Sequence, residues 1–313
     1  MMQSHNESVG MSMFVDRRAL IQFCVLLFAA IICMVGAKIV AESLVTLAIF
    51  LFVLGVVLAW VAIVREVNAA ALHMPGPVRR FIHWIHAQTL EIVALVMLVF
   101  LRLATLWRKN QAALPQVQSR PILLVHGYLN AGFVWDFHKN QLIKNGFGPI
   151  YTINLGHPFR SIRTYAQKVK EKVDQIARET GQSEITLIGH SMGGLVSYYY
   201  AAKLARAYTV PQVITIASPL QGTRVARIGL GRCAREMQID SELLQDLKSA
   251  VECCTDVKFY NIATKTDQLI VPYTSSFFNS SPAHQFLIDD IGHASLLFSE
   301  RVSNQICRWL KDA

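Results

Sequence analysis

Ser191 stands in Gly189-His190-Ser191-Met192-Gly193, between the apolar run Ile185–Ile188 and a second run begun by Gly194, Leu195 and Val196. A strand entering a sharp turn and a helix leaving it would lift the serine hydroxyl above a sheet. A Cβ two residues to either side would collide where strand and helix approach. The helix starting near Met192 would aim free N–H groups and its positive dipole end at negative charge developing beside the serine. The bare pattern is weak, because three fixed Gly, Ser and Gly positions arise by chance in about one chain in ten of this length. Its flanking strand and close-packing helix separate it from a glycine-rich turn without chemistry.

A serine hydroxyl needs a base, and the base needs an acid to hold its tautomer. Both are expected on loops at the carboxyl ends of later strands, acid first and histidine last. Asp267 follows the expected strand Val257–Ala263, and His293 follows Gln285–Ile288 within Ile291-Gly292-His293, where Gly292 is expected to leave room for the ring. Asp256 and His284 precede their strands and so fall at the wrong end, while Asp289 and Asp290 are expected to shape the histidine loop. A tetrahedral oxyanion calls for two main-chain donors. These are the N–H of Met192 and that of Tyr128, in Val125-His126-Gly127-Tyr128, with His126 bonding inside its own loop.

The elements that must carry these groups alternate strand and helix from Pro121 onward, the pattern of a mostly parallel sheet with crossover helices. Strands are predicted at 122–125, 149–155, 185–189, 212–217, 257–263 and 285–288, with helices over 161–180, N-capped by a serine, and 298–310. The connection Pro219–Ala250 holds glycines, apolar residues and a helix capped by Asp240, and reads either as a lid or acyl-chain wall or as a packing excursion. Phe133, Trp135 and Phe137 either line an acyl pocket or pack in the core.

Ahead of that region the chain changes character. Across 313 residues, 53% are hydrophobic and 16% charged, with the apolar excess in the first third. Ala19–Ala37 and Leu44–Val64 are uncharged runs of 19 and 21 residues, each able to cross about 30 Å of hydrocarbon at 1.5 Å per residue. Two spans so close in sequence argue against a cleaved leader and for a helical hairpin. A third apolar helix near 90–107, short and interrupted by Arg102, suits an interfacial or re-entrant segment as well as a span. Counting Lys and Arg puts the hairpin tip outside and both ends inside, which favours a cytoplasmic catalytic domain in a multi-pass protein of a bacterial inner membrane. The chain therefore divides into a membrane region (1–110), a linker (111–120) and a catalytic domain (121–313).

The net charge of +9 is scattered or flanks apolar runs, which fits anionic lipid rather than a nucleic-acid groove. The six cysteines form no C-x-x-C pair or zinc spacing and read as buried free thiols, although Cys233 could reach Cys253 or Cys254. His83 and His86, near one helix face, lack nearby carboxylate or cysteine partners for a metal and read as an interfacial pair.

LLVHGY, IGHSMGG, SPLQGT, the Asp267 loop and IGH together resemble the α/β-hydrolase lipases and esterases, nearest the bacterial triacylglycerol-lipase-like group, over Pro121–Ala313. The resemblance implies an α/β-hydrolase fold with about six mostly parallel strands and flanking helices, preceded here by transmembrane helices. It implies cleavage of carboxylic esters of lipids through an acyl-enzyme on Ser191, with His293 as base and Asp267 as its orienting acid. No cofactor is implied. Some such lipases bind calcium through an aspartate shortly after the histidine; Ala294 and Ser295 stand there instead, and no metal is expected. Acyl transfer through the same intermediate, and a membrane scaffold that retains the fold without catalysis, are the alternatives.

Overall fold

The computed structural model describes residues 76–105, 120–205, 209–278 and 282–312. The chain divides after Ala59, and every described residue lies in the unit Trp60–Ala313. The expected spans at 19–37 and 44–64, and the expected linker as far as Ser119, lie outside the described residues.

Helix α1 (Gly76–Thr105) begins at the Pro75-Gly76-Pro77 break, where proline suits a first helical turn, and extends 30 residues. It thus starts well before the expected position near 90 and absorbs the mixed stretch that carries His83 and His86. Residues 76–102 are long and apolar enough to cross a membrane by length and composition, the one such helix among the described residues. Ala87, Glu91, Ala94 and Leu98, at helical spacing, are buried, whereas Val78, Phe81, Trp84, Ile92, Leu95 and Val99 are exposed.

The sheet then forms in a few short strands: β1 (Ile122–Val125), β2 (Ile150–Ile153), β3 (Thr186–His190), β4 (Gln212–Ile216), β5 (Lys258–Thr264) and β6 (Gln285–Ile288). All pair in parallel in the order β2-β1-β3-β4-β5-β6. The chain goes from β1 out to one edge and returns to β3 on β1's other side. The loops leaving β1 and β3 therefore diverge from neighbouring strand ends and open a crevice there.

Alternation along the strands sends side chains to two cores. Leu123, Val125 and Leu187 meet Val169 and Val173 of α3 (Ile162–Thr180) and Leu195 of α4 (Met192–Lys203). Ile122, Leu124 and Ile188 meet Trp135, Leu142 of α2 (Asp136–Lys144), and Ile306 and Trp309 of α7 (Glu300–Lys311). Leu98 and Ala94 of α1 join this second core.

Ser161 caps α3 by accepting from Arg163 N–H, as its position in the sequence predicts. After β4 come a 3-10 turn (Arg224–Ile228), α5 (Gly231–Glu236) and α6 (Glu242–Glu252). The cap of α6 is Ser241, accepting from Leu244 N–H, not Asp240, whose φ of 63° puts it in the left-handed region one residue earlier. Cys233, Cys253, Cys254 and Cys307 are free thiols, and Cys253 is exposed, unlike the buried pair Cys233 and Cys307.

Candidate active site

Ser191 adopts φ 56° and ψ −128° at the junction of β3 and α4, a sparsely populated conformation for a residue with a side chain. Its N–H donates to Ile216 O at 2.8 Å, tying the turn to β4. The flanking glycines are sterically required. A Cβ on Gly189 would lie 2.5 Å from Gly194 Cα, and one on Gly193 would lie 2.2 Å from Val125 O. The loop after β1 closes on the same turn, for a Cβ on Gly127 would come within 2.9 Å of Ser191 Cβ.

That approach brings Tyr128 beside the elbow. Its main-chain N–H has no acceptor among the described residues, and Met192 N–H, first in α4, has no intrahelical one. The Tyr128 phenol meanwhile donates to Leu230 O at 2.9 Å and lies 3.2 Å from Leu230 N–H, so it holds the excursion after β4 near the site. In that excursion Ile228 and Leu230 are 85% and 66% exposed.

His293 and Asp267 meet between the loops after β6 and β5. His293 Nδ1 lies 2.9 Å from Asp267 Oδ2 and 3.1 Å from Oδ1, and the two side chains are 4% and 1% exposed. The N–H groups of Leu269 and Ile270 donate to Asp267 Oδ1 at 2.8 and 2.7 Å. This anchors the carboxylate as an acceptor, so Nδ1 carries a proton and Nε2 is the free basic nitrogen. Burial pushes the imidazole pKa down; the charge and hydrogen bond of Asp267, then the charge of Glu91, push it up by more, leaving it raised.

His190, next to Ser191 in sequence, directs Nε2 at His293 O (3.2 Å), and the two rings sit 4.7 Å apart. His293 thereby lies beside the serine turn. Burial first, and then the neighbouring His293, hold His190 well below the ordinary histidine pKa, so it is neutral and Nε2–H donates. His126 is also structural in its contacts: Nδ1 meets Gly127 O at 2.9 Å, and Nε2 accepts from Leu155 N–H at 3.0 Å.

The competing groups lie elsewhere. His284 packs at a tilt against Tyr260 before β6, Asp256 is exposed before β5, and Asp290 pairs with Arg301. Trp135 is fully buried in the second core, and Phe137 packs on His138 and Phe298. A cavity of about 380 Å³ lined by Tyr198, Phe259 and Phe278 opens near the start of β5, the opposite end from Asp267. No group of three or more His, Cys, Asp or Glu side chains among the described residues could hold a metal ion.

Two residues escaped sequence reasoning. Glu91 reaches from α1 to accept from Ala294 N–H (2.7 Å) and Ser295 N–H (3.0 Å) in the His293 loop, and Gln268 Oε1 accepts from His293 N–H at 3.3 Å. A Cβ on Gly292 would lie 2.5 Å from Glu91 Oε2 and 2.9 Å from the Gln268 amide. The glycine thus makes room for these two side chains, not for the imidazole ring as expected. The available signal was a carboxylate set between Leu90 and Ile92, since a charge in an apolar stretch needs a partner.

The sheet order, the strained serine turn and the histidine-carboxylate pair define an α/β-hydrolase fold. Residues 120–230 match the family described as alpha/beta hydrolase fold. A triacylglycerol lipase of Pseudarthrobacter phenanthrenivorans is 32% identical over 115 residues, 34% of this chain and 35% of that protein. The poly(3-hydroxyalkanoate) polymerase subunit PhaC of Haloferax mediterranei is 28% identical over 114 residues, 31% of this chain and 23% of it. The chain thus matches about a third or less of the length of these curated relatives. Among solved structures, mature Bacillus licheniformis lipase BlEst2 superposes with a TM-score of 0.54 at 14% identity, covering 64% of this chain and 96% of that one, a likeness of fold.

Proposed function

We propose that the protein hydrolyses carboxylic esters of lipids or similarly apolar acyl compounds through an acyl-enzyme on Ser191. His293 Nε2 takes the serine proton as Oγ bonds to the ester carbonyl, and the tetrahedral oxyanion is received by the N–H groups of Tyr128 and Met192. His293 then returns the proton to the departing alcohol as the acyl–oxygen bond breaks. Water, deprotonated by the same imidazole, attacks the acyl-enzyme to release the carboxylic acid and restore Ser191. Asp267 keeps the imidazole in the required tautomer and stabilises it while it is charged. The observation that carries this reading is the 2.9 Å pairing of His293 with Asp267 on a loop bonded to His190, the neighbour of the strained serine. Ser191→Ala is expected to abolish turnover across a graded acyl-chain ester panel and labelling by an organophosphonate while Tm is kept; retained turnover refutes the assignment.

The protein acts at a membrane in this reading. The apolar runs 19–37 and 44–64 are proposed as spans, with α1 following as an interfacial helix. In favour of the interfacial reading, α1 buries Ala87, Ala94 and Leu98 and leaves apolar residues exposed elsewhere on its surface. Its length alone would permit a crossing. In this reading the protein is a multi-pass protein of the bacterial inner membrane, and the flanking Lys and Arg support an inward-facing catalytic unit. A protease added to sealed inverted and right-side-out vesicles reads the orientation.

A second reading, acyl transfer to an alcohol or amine, is favoured by the similarity to PhaC, a polymerase subunit by name. It uses the same acyl-enzyme with a different incoming nucleophile. Product analysis with and without added acceptor separates the two, transfer requiring acylated acceptor in excess of free acid.

A further inference from the structure

We infer that Glu91, on the helix preceding the hydrolase fold, is a positioning residue for His293, so that α1 is an integral part of the active site. The inference rests on the reading of His293 as the base. Glu91 is 8% exposed and sits in an otherwise apolar stretch, where an unpaired carboxylate is strongly disfavoured. Its carboxylate accepts from the N–H of Ala294 through both oxygens (2.7 and 2.9 Å), from the N–H of Ser295 (3.0 Å) and from the Ser295 hydroxyl (3.2 Å). These donors belong to the two residues directly after His293.

Loop main chain elsewhere in the site is held by groups of the hydrolase fold itself, as where Thr266 Oγ1 donates to Ile291 O at 2.7 Å. On its C-terminal side the His293 loop is fixed from outside, by α1. The grip is doubled five residues earlier on α1, where His86 Nδ1 meets Asp290 O at 2.7 Å, so one helix clasps the loop on both sides of the histidine. A Cβ at 292 would press on the Glu91 carboxylate and the Gln268 amide, so any side chain there would displace the groups that hold this loop.

The carboxylate also acts through space. The titratable groups around His293 are Asp267 from the loop after β5, His190 from the end of β3 and Glu91 from α1. His190 is neutral, which leaves two negative charges to favour the protonated imidazole formed at each proton transfer. Asp267 sets the tautomer by direct contact, and Glu91 sets where the loop stands and adds charge without touching the ring.

Two conservative variants of the full chain in lipid vesicles separate these contributions. Glu91→Gln removes the charge while keeping the shape, and Glu91→Asp keeps the charge but withdraws it by one methylene from its three donors. Thermal unfolding of each is measured first, then kcat, KM and the pH profile of ester hydrolysis. Glu91→Gln is expected to shift the acid limb of kcat/KM to lower pH, because a less negative surrounding lets His293 lose its proton sooner. Both variants are expected to lose about 10- to 100-fold in kcat with little change in KM, the loss that follows a small misplacement of a reacting group. Glu91→Asp is expected to keep the wild-type acid limb.

A folded Glu91→Gln protein with an unmoved acid limb and wild-type kcat overturns the inference, as does a loss confined to Tm in both variants. The nuclear magnetic resonance titration of the His293 imidazole reads the same charge effect without turnover, and an unchanged midpoint in Glu91→Gln counts equally against it. Turnover retained by Ser191→Ala defeats the proposed function. Turnover abolished there but untouched in Glu91→Gln defeats only the role of Glu91.

Discussion

Replacing Asp267 with asparagine tests the site at the point where its geometry leaves least freedom. Oδ1 receives the N–H groups of Leu269 and Ile270 at 2.8 and 2.7 Å, while Oδ2 faces His293 Nδ1 at 2.9 Å. An asparagine must keep its carbonyl oxygen toward the two main-chain donors, because an amide NH2 there would confront them. The NH2 group then faces Nδ1, which must accept, and the imidazole proton moves to Nε2. A histidine in that tautomer cannot take a proton from Ser191. The expected loss is about 10⁴-fold in kcat/KM, or about 5 kcal/mol of transition-state stabilisation.

The residual activity carries a second signature. Asp267 opposes the lowering of the His293 pKa by burial, so its removal is expected to move the acid limb of the profile to lower pH. The assay is single-turnover acylation by a chromogenic ester from pH 5 to 9, on protein whose Tm matches wild type. Activity within tenfold of wild type would refute the tautomer argument, and so would an acid limb moving to higher pH.

Gly193→Ala is expected to destabilise by more than about 4 kcal/mol or to displace the loop after β1, because the new Cβ meets the main-chain oxygens of Val125 and His126 at 2.2 and 2.5 Å. A wild-type Tm together with wild-type organophosphonate labelling would contradict this. His138 is buried between Ser303 Oγ (2.7 Å) and Leu296 O (3.1 Å), and burial lowers its pKa from 6.5 to about 4. Between those values the unfolded chain binds the proton and the fold does not, so stability falls as pH drops from 6.5 towards 4, by roughly 3 kcal/mol. Chemical denaturation at stepped pH in wild type and His138→Gln measures it, and equal slopes in the two remove His138 as the cause. His293 titrates in the opposite sense. Its raised folded-state pKa gives a contribution complete below pH 6.5 and lost as pH rises through the folded value, so Tm plotted against pH is expected to decline there in wild type and not in His293→Ala.

Local chemistry made much of the molecule legible in the chain. The short apolar runs ILLV and TLIG, the glycines about Ser191 and the serine before α3 each state a backbone requirement that neighbouring residues alone must meet. Strand bounds accordingly fall within a few residues of expectation for all six strands. The placement of Asp267 and His293 after the fifth and sixth strands was likewise open to reading, because a parallel sheet delivers the carboxyl ends of its strands to one edge.

What the residues could not state is anything that depends on a partner far along the chain. The aromatic trio after the β1 loop reads equally as pocket or core until Trp135 is seen buried in the second core. Gly292 is explained by Glu91 and Gln268, one about two hundred residues away and the other in a different loop. An acid within α1 is merely an irregularity in an apolar helix until the fold brings the N–H groups of Ala294 and Ser295 to it. Backbone strain and short apolar runs are properties of a few consecutive residues and survive translation into sequence. A hydrogen bond across that distance exists only once the sheet has assembled and the last loop has closed against α1, so only the tertiary structure could decide it.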